Sequence, residues 1–217
     1  MARRMQPQYL QLPTKARLTS ELVPDLQLTH GRSLWVLNEM GFGAGVTSGT
    51  FNYYVKSLRK LGVPFAAGEI KSGLHRPVHY AFNHMMELAL ALSLRVYGTL
   101  PDPVLKGIVQ FREELYPLYR RAYVEYTTGL GMPVTICTAD RTGFEMRGVY
   151  LDLKIRFGGG RTLEFGPPRL ISPFDAVQLY AKLEAPSRSH LPLNLSSLAV
   201  RLVECAEAAP NIRRGPT

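Results

Sequence analysis

The chain has 217 residues, 46% of them hydrophobic, enough for one large domain or two small ones with real cores. No apolar run reaches the length of a membrane span, the N-terminal MARRMQPQYLQLPTKARLTS lacks the apolar stretch of a signal peptide, and two cysteines, Cys137 and Cys205, are too few for a disulfide framework or a zinc site, so a reducing, cytoplasmic setting is expected. The net charge of +9 favours polyanion partners, and its excess is densest in residues 1–60, with eight basic residues against three acidic.

In chain order, residues 1–27 are expected to be a flexible basic arm. Pro7 and Pro13 argue against a helix there, although Ser20 could cap a short one over ELVPDLQ. Thr29 is a candidate N-cap for a helix over 30–40, with Leu34, Leu37 and Met40 on its buried face. GFGAG (41–45) stops it in a tight glycine turn. Thr47 caps a second helix running to about Leu61, ended by Gly62 and Pro64. Its apolar face carries Phe51, Tyr54, Val55, Leu58 and Leu61.

Residues 65–82 read as two extended pieces around KSGLHRP, a hairpin with Gly68 and Gly73 in its turn. Asn83 is expected to cap a third helix over 83–98, with Met86, Leu90 and Leu94 as its stripe. A fourth helix is expected over 101–111, with Pro101 and Pro103 in its first turn. A fifth is expected over 112–129, bent at Pro117. After Gly131 the pattern turns to β alternation, rich in Val, Ile, Thr and aromatics. Gly158 to Gly160 mark the turn of a hairpin between VYLDLKIRF and RTLEFG. Helices are expected over 173–184 and 194–208, joined by a linker from Pro186 to Pro192.

The fold class expected is α+β: an N-terminal winged helix-turn-helix followed by a smaller α+β domain with an antiparallel β-hairpin. The expected division is an arm (1–27), a DNA-binding domain (28–111), a connecting helix (112–130), an oligomerisation or effector domain (131–209) and a disordered tail (210–217). The order helix, glycine turn, helix, basic hairpin, helix carries the functional expectation. The second helix enters the major groove of double-stranded DNA. Thr47, Ser48, Thr50 and Asn52 offer donors and acceptors to base edges or phosphates, and Tyr53 packs on sugar or donates its hydroxyl. Lys56, Arg59 and Lys60 meet the phosphate backbone. The hairpin forms a wing that brings Lys71, His75 and Arg76 to the duplex.

GVTSGTFNYY (45–54) resembles the G-V-S-x-x-T-[LI]-R-Y-Y recognition segment of MerR-family regulators. Gly45, Val46, Thr47, Thr50, Phe51, Tyr53 and Tyr54 carry the match. LGV (61–63) is similar to the family's segment just after the recognition helix, and RPVHYAFNHMMELALALSLRVYGTLPDPVLKGIV (76–109) to its wing end and third and fourth helices. Asn52 stands where the family usually has Arg, and Val55 where it often has Glu. The resemblance covers residues 28–110 and implies a winged helix-turn-helix and transcriptional regulation.

Other features are weaker. His75, His79 and His84 lack the further ligands of a zinc site, and no metal or cofactor is expected. FGGGRT (157–162) suits a hairpin turn better than a phosphate loop. No acid/base pair or nucleophile triad stands out, so no enzyme activity is expected. Tyr116, Tyr119, Tyr123 and Tyr126 line one helical face with Arg112, Arg120 and Arg121 interleaved. That face suits packing on the β-rich part or a dimer contact. The expectation is a cytoplasmic, sequence-specific transcriptional regulator acting as a homodimer, with an unknown effector and no membrane partner. Replication-initiation or plasmid-partition DNA binding, and a protein-interaction module on the same scaffold, are the alternatives.

Overall fold

Chain ends and caps set the first elements. In the computed structural model, which describes residues 22–65, 69, 78–96, 102–129, 134–137, 143–157, 163–181 and 188–211, the strand β1 (Leu28–Thr29) leads directly into helix α1 (His30–Glu39). Thr29 caps α1 as expected, its hydroxyl accepting from the Arg32 N–H. Helix α1 buries Ser33, Val36 and Leu37, while Leu34 and Met40 are only half-buried. It ends in a Schellman motif. Gly41 takes φ +94° and donates to the Asn38 carbonyl, and Phe42 donates to the Leu37 carbonyl.

The connection to the next helix runs over Met40–Thr47, longer than the tight turn expected. Gly43 passes so close beneath Asn38 that a Cβ there would sit 2.2 Å from Asn38 Oδ1. Helix α2 (Ser48–Lys60) closes with a second Schellman motif. Gly62 takes φ +90°, and Val63 donates to the Leu58 carbonyl with both side chains fully buried.

Before α1, residues 24–27 form no helix. Pro24 lacks an N–H and disfavours helical backbone before it, and Val23 and Leu26 pack on the core, so the arm is anchored from residue 23 onward. Residues 1–21, the wing residues 66–68 and 70–77, the turn Gly158–Gly160 and the tail 212–217 lie outside the described residues.

Strand β2 (His79–Tyr80) pairs antiparallel with β1, Leu28 opposite Tyr80. Helix α3 (Phe82–Val96) begins one residue before the expected cap, so Asn83 is inside the helix. Ala81 is the N-cap position, and the His84 ring accepts from its backbone N–H at 3.3 Å, as a Glu does in a capping box. Beyond the expected stripe of Met86, Leu90 and Leu94, α3 is buried almost all round, with Met85, Leu88, Ala89, Ala91 and Leu92 also inside. Helices α4 (Asp102–Gln110) and α5 (Arg112–Thr127) follow, and α5 continues through Pro117.

Among the described residues the rest is a hairpin and a small sheet. Strands β3 (Val134–Cys137) and β4 (Gly143–Met146) pair with each other. The central strand β5 (Tyr150–Phe157) pairs along one edge with β6 (Leu163–Phe165) and then β7 (Arg169–Ile171), and β5 and β6 form the expected hairpin. Helix α6 (Pro173–Ala181) comes next. Strand β8 (Arg188–Asn194) then takes the other edge of β5 over seven residues, and helix α7 (Leu195–Ala208) ends the described chain.

The linker expected over 186–192 is corrected by β8. Proline is tolerated on an edge strand, and Pro192 sits opposite Asp152 in the ladder.

The sheet joins one continuous core rather than forming a second one. Leu151, Leu153 and Leu193 share a cluster with Val36, Leu37, Phe51, Val55 and the buried residues of α3, and α7 packs against α1, α3 and α5. Tyr150, Ile171 and Ala176 form a small cluster on the opposite face of the sheet. Ser196 is the joint. Its hydroxyl donates to the Ala122 carbonyl of α5 at 2.8 Å and accepts from the Val149 N–H at 3.0 Å. Gly148 there has φ +80°, and a Cβ on it would lie 2.4 Å from Ser196 Cβ. Helix α1 meets the end of α7 through Arg32, which donates to the Ala209 carbonyl at 3.1 Å.

A buried ion pair ties three of the helices together. The Arg112 guanidinium, in the first turn of α5, donates to both carboxylate oxygens of Glu87 at 2.7 to 3.2 Å and also to the Gly62 carbonyl at the end of α2. Glu87 is fully buried, and burial lifts its carboxyl above its ordinary value even though Arg112 and Tyr116 pull it down. A raised carboxyl pKa weakens the fold as pH rises through it, and losing Arg112 would raise it further.

Arg112→Met is therefore expected to cost about 3–5 kcal/mol at pH 8 and less at pH 5, because it leaves a buried charge uncompensated. The double variant Glu87→Met/Arg112→Met should recover most of that loss. Urea denaturation of the three proteins checks this; an Arg112→Met loss that the second substitution does not relieve would contradict it.

Candidate nucleic-acid interface

Helix α2 is built to hold one face inside and present the other. Phe51, Val55 and Leu58 recur at helical spacing and are buried in the core. Thr47 is the N-cap as expected, its Oγ1 accepting from the Thr50 N–H at 3.2 Å and lying 2.9 Å from the Thr50 hydroxyl. The first N–H groups of a helix have no acceptor within it, and only the third of these is taken by the cap, so the turn at Ser48 and Gly49 favours an anion.

Thr47, Ser48, Gly49, Thr50, Tyr53, Lys56 and Lys60 are exposed, and Arg59 is half-buried. No acidic residue occurs between Glu39 and Glu69, so this face carries positive charge with no compensating carboxylate in its own segment.

Two expectations for this helix change. Tyr54 was placed on the apolar face, but it is 38% exposed and stands beside Tyr53, 65% exposed. The buried stripe is narrow, centred on Phe51, Val55 and Leu58, and Tyr54 falls at its edge. Both tyrosines therefore belong to the outer surface. Leu61, placed on the same face, is the C-cap and only half-buried.

Asn52 is not a free reader of bases. Its Oδ1 lies 3.3 Å from His30 Nε2, and the other ring nitrogen, Nδ1, lies 3.1 Å from the Tyr80 hydroxyl. The chain Tyr80–His30–Asn52 spans β2, the start of α1 and α2. Tyr80 is fully buried, and burial pushes its phenol up, with Arg59 pulling weakly the other way. His30 and Tyr80 were not anticipated. They lie 22 residues before and 28 residues after Asn52, and no local spacing joins them.

Within the stretch expected to form a hairpin over 65–82, the structure describes strand β2, which pairs with β1 ahead of α1 and leaves His79 exposed. Lys71, His75 and Arg76 lie outside the described residues. His84, grouped with His75 and His79 by sequence, instead faces the core, its ring 4.7 Å from that of Phe65. Among the described residues no group of three or more His, Cys, Asp or Glu is placed to hold a metal ion. No helix among them is long and apolar enough to cross a membrane.

The tyrosine face of α5 turns toward α3 more than toward the sheet. Tyr119 is fully buried, Tyr123 meets the Phe82 ring at 5.9 Å, and Tyr116 is close enough to Glu87 to lower its carboxyl pKa. Burial and the Glu87 charge raise the phenols of Tyr116 and Tyr119 well above their ordinary value. Arg112 is in the buried ion pair, and Arg121 pairs with Glu125 one turn on. Of the four tyrosines only Tyr126, 39% exposed, stays at the surface, against Gly148 two residues before β5.

No protein-family model, curated protein or solved structure matches this chain.

The His84 cap has a pH signature. Burial holds the imidazole below its ordinary value of 6.5, with Glu69 opposing and Arg112 reinforcing the shift. A depressed imidazole pKa stabilises the fold above 6.5, and that contribution is lost as pH falls through the folded value. Protonation also removes the lone pair that accepts from Ala81. His84→Gln keeps an acceptor at this position and does not titrate. Its stability relative to the parent should therefore rise as pH is lowered from 7.5 to 5, by about 1 kcal/mol, the worth of a helix cap. Thermal unfolding at both pH values measures it; a constant difference would show that His84 does not titrate in the folded protein.

Proposed function

We propose that this protein binds double-stranded DNA through the exposed face of α2, as a transcriptional regulator of winged helix-turn-helix type resembling the MerR family. The observation that carries the proposal is that face itself. An N-capped helix, fixed at both ends by capping motifs and from behind by Phe51, Val55 and Leu58, presents hydroxyls, two aromatic rings and three basic side chains in a segment without a carboxylate.

The division of labour follows from position on the helix. In this proposal Ser48, Thr50 and Tyr53, near the N-terminal end, meet base edges and the nearer phosphates. Lys56 and Lys60 extend to the backbone, as does the partly buried Arg59. The pair of β1 and β2 anchors the segment before His79, which in this proposal is the wing. One helix of this length covers few base pairs, so a symmetric homodimer binding two half-sites is part of the proposal.

Phosphate contacts release counterions, so affinity falls steeply with salt, and each lost contact lowers the slope of log K against log salt by about one. The variant Lys56→Ala/Lys60→Ala is expected to bind all duplexes more weakly and to reduce that slope by about two. Lys106→Ala, exposed on α4, should leave it unchanged. Mobility-shift titrations across a range of salt test this; equal slopes for the parent and the Lys56/Lys60 variant would remove α2 from the interface.

A further inference from the structure

We propose that His30 is a positioning residue that holds Asn52 with its amide group outward, so that α2 selects guanine rather than adenine where Asn52 meets the duplex. The inference rests on the DNA-binding proposal for α2 and adds to it a specificity device outside the recognition helix.

A protonated phenol can donate or accept, and the placement of Asn52 Oδ1 toward the His30 ring selects the arrangement in which Tyr80 donates. A neutral imidazole has one N–H donor and one acceptor nitrogen. The Tyr80 phenol is buried beside His30 Nδ1 at 3.1 Å, and burial keeps it protonated and able to donate. With Nδ1 accepting from Tyr80, the ring proton lies on Nε2, which faces Asn52 at 3.3 Å. That N–H meets an acceptor, Asn52 Oδ1, and the amino group turns away from His30. With Tyr80 donating, the reverse orientation would set two donors against each other.

The consequence is chemical. A free Asn reads adenine by accepting from N6 and donating to N7 at once. An Asn whose carbonyl faces His30 turns its amino donors to the outer side. Guanine presents two acceptors, N7 and O6, in the major groove and matches such a group. Asn52 is half-buried, with exposed Tyr53 and Lys56 beside it on α2, so its outer side reaches the surface that the proposal assigns to DNA. His30 thus acts without touching the duplex, and Tyr80 sets the ring proton from the opposite side.

Two measurements on the full chain separate the tether from its use. Nitrogen-15 spectra of the His30 ring should show Nε2 protonated and Nδ1 bare; a ring protonated on Nδ1 alone would overturn the orientation. Selection from a random duplex pool should then return, for the parent protein, a position with guanine preferred about tenfold over adenine, the scale of one good side-chain–base match. His30→Ala should lower that preference to about threefold or less at that position alone. His30→Gln, which keeps a donor near the Nε2 position, should restore it. An unchanged guanine preference in His30→Ala overturns the proposal. If Nε2 carries the proton but the parent enriches no duplex, the DNA-binding proposal falls and guanine selection with it, while the tether stands.

Discussion

The contact on which the arrangement depends is the buried meeting of Glu87, Arg112 and the Gly62 carbonyl. Helix α3 runs through the centre of the core and is apolar nearly all round, and Glu87 is the one carboxylate on it. Without a counter-charge such a group costs several kcal/mol. Arg112 supplies that charge from the start of α5 and places a further donor on the carbonyl that ends α2. Helices α2, α3 and α5 are thereby held in one register, and a shift of any one would uncover a buried charge. Ser196 and Arg32 make comparable ties further along, linking α7 to α5 and α1. Strands β5 and β8 and the helices before residue 111 consequently share a core.

That rigidity bears on the proposed interface. Helix α2 touches the interior mainly through three large side chains and relies on its ends for placement. A Schellman motif before it, the Thr47 cap and a second Schellman motif after it fix those ends with backbone hydrogen bonds. What remains free is the outer face, where polar and basic groups collect. The chain from Tyr80 through His30 to Asn52 then couples that face to β2, at the foot of the proposed wing. In this proposal the helix and strand β2 are set relative to each other before DNA arrives, which lowers the ordering cost of binding.

The parts of this fold that could be read from the sequence are those whose causes are local. Thr29 and Thr47 cap helices because a hydroxyl reaches an N–H three residues on, and Gly41 and Gly62 end them because only glycine takes the left-handed conformation cheaply. The alternation in Tyr150–Phe157 and Leu163–Phe165 revealed the hairpin for the same reason. Long-range causes were hidden. Residues 186–192 resembled a linker because prolines stand at both ends, and the strand character of Arg188–Asn194 comes from lying along β5. Arg112 stood among tyrosines and suggested an interface, but its partner Glu87 is 25 residues earlier on another helix. In the candidate site, the exposed face of α2 was legible except for Tyr54, where the width of the buried stripe was overestimated. The tether on Asn52 left no trace in local spacing.

The central claim is that α2 is the surface that meets double-stranded DNA. Hydrogen–deuterium exchange of the full chain, with and without a mixed-sequence duplex at low salt, tests it directly. The duplex is expected to slow exchange in residues 44–60 and to leave α7 and the strand β8 unchanged. Equal exchange in residues 44–60 with and without bound duplex, or protection centred on the sheet, would contradict it.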